Sequence, residues 1–464
     1  MSEKTNFIKS FLKNAFGKKT TKTIKKDREN KSEKITVTTE SYKGVRDFYP
    51  ADMAIQNYIF DVMKKTTESF GYSEYGASVL EYADLYKAKS GEEIVSNQTY
   101  TFIDRGDREV SLRPEMTPTV ARLIAAKLKE FSFPLRWYSI PNLFRYEKPQ
   151  KGRTREHWQL NVDIFGVKNL NADVEVISMA SQIMRNFGLK DSDFEIKINN
   201  RKIINYILND LFKLSNKDAY KIAKIIDKKN KISLNDFKNL VQEIIPERSS
   251  EFIEILNSKN FEEFVSKLPD DMQLLEGIVE VKDVLEKLEK LGIRNAVFAQ
   301  DIMRGFDYYT GIVFEVYDKN PENIRAVFGG GRYDELLSIF GKEIVPAVGF
   351  GMGDVVIRDI LETYKLLPKI EAASQLHICV MNDNFIDYAQ DLAQKLRENN
   401  IKITVDYSGK KIGDQFKYAD KNSIPYVVVI GENEVNTGKL KVKELSTGKE
   451  TETTEDGVTE IIKK

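Results

Sequence analysis

Between Pro50 and Phe70 the apolar residues Ala54, Ile55, Tyr58, Ile59, Val62 and Met63 recur at three-to-four spacing and Gly71 follows, which predicts an amphipathic helix. The rhythm changes between about 133 and 166, and again between 307 and 350, where segments rich in Val, Phe, Tyr and Ile are joined by polar or Gly-rich turns. These predict the strands of one antiparallel sheet. Residues 200 to about 293, which separate the two halves, read instead as Lys- and Leu-rich helices. After Pro368, short apolar runs alternate with helical patterns: Leu376 to Met381, Phe385 to Asn399, Lys402 to Asp406, Ile412 to Asn422 and Tyr426 to Gly431. That alternation is βαβ logic and predicts a separate α/β domain.

The most informative stretch is Asn142 to Gly166, NLFRYEKPQKGRTREHWQLNVDIFG. Before Pro149, Arg145 and Glu147 alternate with Phe144 and Tyr146. After the turn, His157, Gln159, Asn161 and Asp163 alternate with Trp158, Leu160, Val162 and Ile164. Residues two apart share a face of a strand, so a hairpin is expected with one apolar face and one polar face, joined by a loop carrying Lys148, Lys151, Arg153 and Arg155. A polar face of this kind suits a charged ligand. A half-exposed hairpin with a solvated side would show the same pattern.

FRYEKPQKGRTRE is similar to motif 2 of class II aminoacyl-tRNA synthetases, and its RxEKPQKGR core resembles the histidyl enzymes. By that resemblance Arg145 would hold the α-phosphate of ATP and act in catalysis, and Arg153 and Arg155 would reach its outer phosphates. Guanidinium forks suit this task because they pair bidentately with phosphate oxygens. Glu147 and His157 would complete the ATP site. Gln150 would meet the first nucleotides of the tRNA, Gln159 the α-amino group of histidine and Asp163 its imidazole.

Three further segments carry the same resemblance. SLRPEMTPT (Ser111 to Thr119) resembles the family's RPE-x-T stretch and implies that Glu115 and Thr117 bind the α-ammonium. MRGFDYYTGIVFEVY (Met303 to Tyr317) resembles a histidyl signature. It implies that Arg304 stabilises charge at the reacting carboxylate and α-phosphate, Tyr309 pairs with the imidazole opposite Asp163, and Tyr308 lines the pocket. FGGGRYD followed by AVGFGMGDVVIRDI resembles the family's GGGRYD and motif 3, and Gly329, Gly330 and Gly331 would let backbone approach a ligand. Motif 3 departs from the family pattern: Val356 stands where its ATP-binding arginine is placed, and the nearest arginine is Arg358. If this stretch is helical, the two positions lie about 200° apart around the axis, so Arg358 points away from the side that Val356 faces. Finally, Val405 to Gly431 resembles the anticodon-binding domain of this group, with Lys410, Lys411, Lys417 and Lys421 as phosphate contacts and Tyr418 for a splayed base.

Composition narrows the chemistry. The 464 residues, 41% hydrophobic and 31% charged, are enough for roughly two to four domains. The net charge is +0, so any nucleic acid must meet local basic patches. One such patch is the leading segment, with eleven Lys or Arg against five acids in about 40 residues; Phe7, Ile8, Phe11, Leu12 and Phe16 would share one face of a short helix there. With one cysteine, Cys379, and two histidines, His157 and His377, a thiolate- or histidine-based metal site is not expected. No Walker loop occurs, and no apolar run approaches the ~20 residues needed to cross a bilayer.

Together the resemblance implies an α+β protein. A basic, disordered extension would occupy residues 1–41, and a class II antiparallel-sheet catalytic domain residues 42–370 with a helical insertion at about 200–293. A C-terminal α/β anticodon-binding domain would occupy 371–464. The implied activity is ATP-dependent, magnesium-assisted activation of L-histidine and its transfer to tRNA(His) by a cytoplasmic homodimer with no membrane attachment. The alternatives are the catalytically inactive relative that regulates ATP phosphoribosyltransferase, and a non-catalytic RNA-binding module.

Overall fold

The computed structural model describes residues 38–87, 98–226, 229, 232–302, 309–323 and 325–463. Most of the basic extension therefore lies outside the described residues, and 38–42 are exposed.

Pro at its first position and the buried stripe Ile55, Ile59 and Met63 define the helix Pro50–Ser69, close to the predicted span. Strands β1 (Ser73–Glu74), β2 (Leu80–Tyr82), β3 (Tyr100–Ile103) and β4 (Glu109–Leu112) follow; β2, β4 and β3 form a small antiparallel sheet. The main sheet adds β5 (Leu135–Ser139), β6 (Asn142–Phe144), β7 (Glu156–Phe165), β8 (Phe194–Asn200), β9 (Ala296–Phe298), β10 (Ile312–Asp318), β11 (Ala326–Arg332) and β12 (Ala347–Gly353). Its order is β1-β5-β7-β12-β11-β10-β8-β9, with β6 also paired to β7. The pairs from β5 to β8 are antiparallel, as the alternation predicts. The edge pairs β1–β5 and β8–β9 are parallel; β1, β8 and β9 lie outside the segments from which the antiparallel sheet was predicted.

The predicted alternation holds through β7, where Leu160, Val162 and Ile164 enter the core and the intervening residues face the other way. It does not hold at Arg145 to Glu147: β6 ends at Phe144, and the Glu147 N–H turns back to the Arg145 carbonyl at 2.7 Å. On the apolar side of the sheet, Asn171–Asn186 supplies Val176, Ile177, Ala180, Ile183 and Met184 to the core.

The stretch between β8 and β9 is helical as predicted: Arg201–Asn205, a π-helical turn at Tyr206–Leu211, then Asn216–Ile226, Leu234–Ile244, Ser249–Leu256, Phe261–Ser266 and Glu276–Lys290. Ser233 and Asn260 cap two of these helices by accepting from the Asp236 and Glu263 N–H groups. The buried Ile222, Phe237, Val241, Phe252, Val281 and Leu288 belong to the same apolar cluster as Ile196, Ile198 and Val316 of the sheet.

Beyond residue 375, β13 (Leu376–Val380), β14 (Ile403–Val405) and β15 (Tyr426–Ile430) form the parallel part of a second sheet, with helices Ile386–Glu398 and Ile412–Lys421 between them. These elements match the predicted βαβ run. The antiparallel β16 (Leu440–Glu444) and β17 (Glu450–Thr453) and the helix Glu455–Ile462 complete it, with a core of its own from Leu376 to Ile462.

Candidate active site

The polar face of β7 opens onto a cavity of about 1160 Å³. Of the residues expected from sequence, Glu115, Thr117, Arg145, Glu147, Gln150, Arg153, His157, Gln159, Asp163 and Tyr309 all line it. Arg304 and Tyr308 lie outside the described residues. Two glycines of β12 make room for the long side chains of β7. A methyl group on Gly349 would come within 2.5 Å of an Asp163 carboxylate oxygen and 2.7 Å of the Tyr333 hydroxyl, and one on Gly351 within 2.8 Å of the Gln159 amide. The glycines of β11 serve the sheet as well as the cavity: a side chain on Gly329 would strike the Phe314 carbonyl of β10 at 2.6 Å.

At one end of the cavity Asp163, 4% exposed, accepts a hydrogen bond from the Tyr333 hydroxyl. The Tyr309 ring is tilted against Tyr333 at 6.2 Å. Tyr333 was not singled out from sequence. Burial pushes the Asp163 carboxyl up to about 7, opposed by the Tyr333 hydrogen bond. The unfolded chain releases this proton near pH ~4, so between about pH 4 and 7 the folded state binds the extra proton and stability falls as pH rises. Asp163→Asn removes that term. Its stability relative to the native protein should therefore improve by about 2 kcal/mol on going from pH 5 to pH 8. Thermal melts at the two pH values test this; a constant difference would show that Asp163 titrates normally.

At the other end lies the loop between β6 and β7. The Arg145 Nε donates to the Pro114 carbonyl at 2.9 Å, which fixes its guanidinium beside the Glu115 segment. Arg153 faces Glu147 at 3.4 Å. Gln150 accepts from Arg325 at 3.2 Å, a residue the sequence reading passed over. Arg155, expected at the outer phosphates, is not among the cavity-lining residues. Its guanidinium lies 4.1 Å over the Tyr146 ring and its Nε donates to the Glu147 carbonyl at 3.2 Å. His157 is held neutral, its pKa lowered to about 3 by burial and by the positive Arg145 and Arg46. It offers a dipolar imidazole rather than a cation.

The helix Asp354–Thr363 begins under this loop. Asp354 is 1% exposed and accepts from Arg46 at 2.7 Å, from Gln56 at 2.9 Å and from the Trp158 N–H at 3.0 Å. Val356 lines the cavity, and a methyl on Gly152 of the loop would stand 3.7 Å from its Cγ2. Arg358 points elsewhere, pairing with Asp52 at 2.8 Å and Glu362 at 3.0 Å, as the helical spacing predicts.

Lys410, Lys411 and Lys417 are exposed; the first two stand just before the helix Ile412–Lys421, and Lys417, in its middle, is paired with Asp414 at 2.9 Å. Tyr418 is 48% exposed, with its ring 5.2 Å from His377. Among the described residues no three His, Cys, Asp or Glu side chains converge to hold a metal ion. No described helix is long and apolar enough to cross a membrane.

A largely antiparallel sheet in this strand order, with an arginine-bearing loop between β6 and β7 overhanging its polar face, defines a class II aminoacyl-tRNA synthetase catalytic domain. Residues 44–354 match the Histidyl-tRNA synthetase family and residues 375–464 the Anticodon binding domain. The chain belongs to the histidyl-tRNA synthetase family. The histidine–tRNA ligase of Leptospira biflexa is 42% identical over 416 residues, spanning 88% of this chain and 94% of its own. That of Thermoplasma volcanium is 38% identical over 419 residues, 89% of this chain and 95% of its own. In fold, the histidyl-tRNA synthetase from Nostoc sp. PCC 7120 superposes with a TM-score of 0.78 at 24% identity, covering 92% of this chain and 99% of its own.

Proposed function

We propose that this chain is an aminoacyl-tRNA ligase that activates L-histidine with ATP and transfers it to tRNA(His), working in the cytoplasm as a homodimer. The observation that carries the reading is that one cavity joins a buried carboxylate–phenol pair, Asp163 and Tyr333, to the arginines of the β6–β7 loop. The first end suits an imidazole and the second a phosphate chain.

In this reading Glu115, Thr117 and Gln159 hold the α-ammonium and Asp163 orients the imidazole, with Tyr309 beside it; Tyr308 is given a part in the pocket by resemblance alone. A carboxylate oxygen of histidine attacks the α-phosphorus, and pyrophosphate leaves. Arg145 faces the α-phosphate where charge develops, and Arg304 is assigned the same task by resemblance. Glu147, Arg153 and neutral His157 hold the rest of the nucleotide. Magnesium, which would neutralise outer-phosphate charge, would enter with the nucleotide, where Glu195 and Glu315 line the cavity. Lys410, Lys411 and Lys417 would meet tRNA phosphates, and Gln150 its first nucleotides. The exposed Leu80, Tyr82 and Phe102, which the register of the small sheet puts on one face, offer an apolar surface to a second copy.

Pyrophosphate exchange with each amino acid in turn tests the reading. Histidine-dependent exchange is expected; its absence in folded native protein would favour a regulatory or RNA-binding role instead. Since Arg358 is tied to Asp52 and Glu362, Arg358→Ala should leave the KM for ATP unchanged and cost about 1 kcal/mol of stability or less. A collapse of ATP affinity in that variant would mean that Arg358 reaches the nucleotide.

A further inference from the structure

The cavity holds a cation whose partners are weak. Arg325 immediately precedes β11 and lines the cavity. In the β11–β12 ladder Gly329 lies opposite Gly351 and Arg332 opposite Val348. Beyond that ladder Arg325, Val355 and Val356 all line the same cavity. The guanidinium meets the loop at Gln150 and Lys151, and a methyl on the next residue, Gly152, would stand 3.7 Å from Val356, so the loop brings the cation and the apolar side chain to one part of the cavity.

Its hydrogen bonds are long and go to neutral acceptors: Nη1 to the Lys151 carbonyl at 3.4 Å and Nη2 to the Gln150 side-chain oxygen at 3.2 Å. The other arginines near this point are differently engaged. Arg153 faces Glu147, and Arg358 is shared between Asp52 and Glu362. A guanidinium gains most from a planar, charged, bidentate partner, and a phosphate supplies one where a lone carbonyl and an amide do not. Arg325 is exposed, so an incoming anion can reach it without displacing buried structure.

We propose that Arg325 binds the outer phosphates of the nucleotide from the β11 side of the cavity, exchanging its contacts with Gln150 and Lys151 for the phosphate chain. It thereby provides the cation that position 356 lacks. This rests on the reading that ATP occupies this cavity.

The test is equilibrium titration of the full chain with ATP and with AMP, for the native protein, Arg325→Ala and Arg325→Lys, alongside thermal melts and exchange kinetics. Arg325→Ala should weaken ATP by about tenfold or more while AMP affinity, the KM for histidine and the melting temperature hold. Arg325→Lys should recover part of the loss, since it keeps the charge but not the fork. Unchanged ATP affinity in Arg325→Ala would overturn the proposal and leave the ATP reading standing. Equal weakening of AMP, ATP and histidine would overturn it in favour of a structural role for the contacts with the loop. If the native protein binds no ATP, the reading of the cavity fails and the proposal with it.

Discussion

Asp163→Ala should lower kcat/KM for histidine by roughly 30- to 1000-fold, equivalent to roughly 2 to 4 kcal/mol of transition-state binding. The change removes the acceptor for the Tyr333 hydroxyl and, with it, the proposed acceptor for an imidazole N–H. Both groups are then left in a buried site without their partner, which costs more than the net value of either hydrogen bond. The pH dependence should carry the same signature. Because burial holds the Asp163 carboxyl near pH 7, the ionised acceptor is lost as pH falls below that value. The KM for histidine should therefore rise on the acid side in the native enzyme, and Asp163→Asn should lose the part of that limb due to residue 163. Near-native histidine kinetics in Asp163→Ala would sink the pocket assignment.

The second large effect is on stability. Arg332, the arginine of GGGRYD, is 5% exposed and its Nε donates to both carboxylate oxygens of Asp173 at 3.2 Å, while Asp173 is 0% exposed. The Val167 carbonyl at 3.0 Å and the Asn169 carbonyl at 3.2 Å take further donors of the same guanidinium. Asp173→Ala leaves that buried cation only the partly exposed Asp334 at 3.3 Å as a charged partner and should cost roughly 3 kcal/mol. Arg332→Met combined with Asp173→Leu should recover much of the loss, because no buried charge is then left unpaired and Asp334, which loses its arginine, is partly exposed to water. Chemical denaturation of the two variants decides the matter: a cost below about 1 kcal/mol for Asp173→Ala would mean that water reaches the arginine. Since Tyr333 is the next residue, partial unfolding here would also displace the hydroxyl that holds Asp163.

The alternation of β7 was legible because half-buried strands leave a period of two, and His157, Gln159 and Asp163 could be put on one face from sequence alone. The helical insertion and the βαβ run were legible for the same kind of reason. The edge strands were not: β1 has two residues and β9 three, too few for any period to show. Tyr333 was hidden because its partner lies 170 positions away in the chain, and nothing local distinguishes it from a core aromatic. Arg155 was placed at the outer phosphates by resemblance alone, and its stacking on the Tyr146 ring could not be read from a motif. Arg325 escaped notice for a related reason, since its contacts with Gln150 and Lys151 join positions about 175 residues apart.

The helices between β8 and β9 share one apolar cluster with the sheet, so they are not a bead hung on a tether. Excising them would bare the faces of Ile196, Ile198 and Val316 and expose a wide hydrophobic surface to water. Residues 200–293 therefore belong to the same cooperative foldon as the catalytic sheet, and amide exchange should protect the two together. Modularity in this chain stops at the insertion: variation can accumulate on its outer faces, but the segment as a whole cannot be traded away without the sheet it rests on.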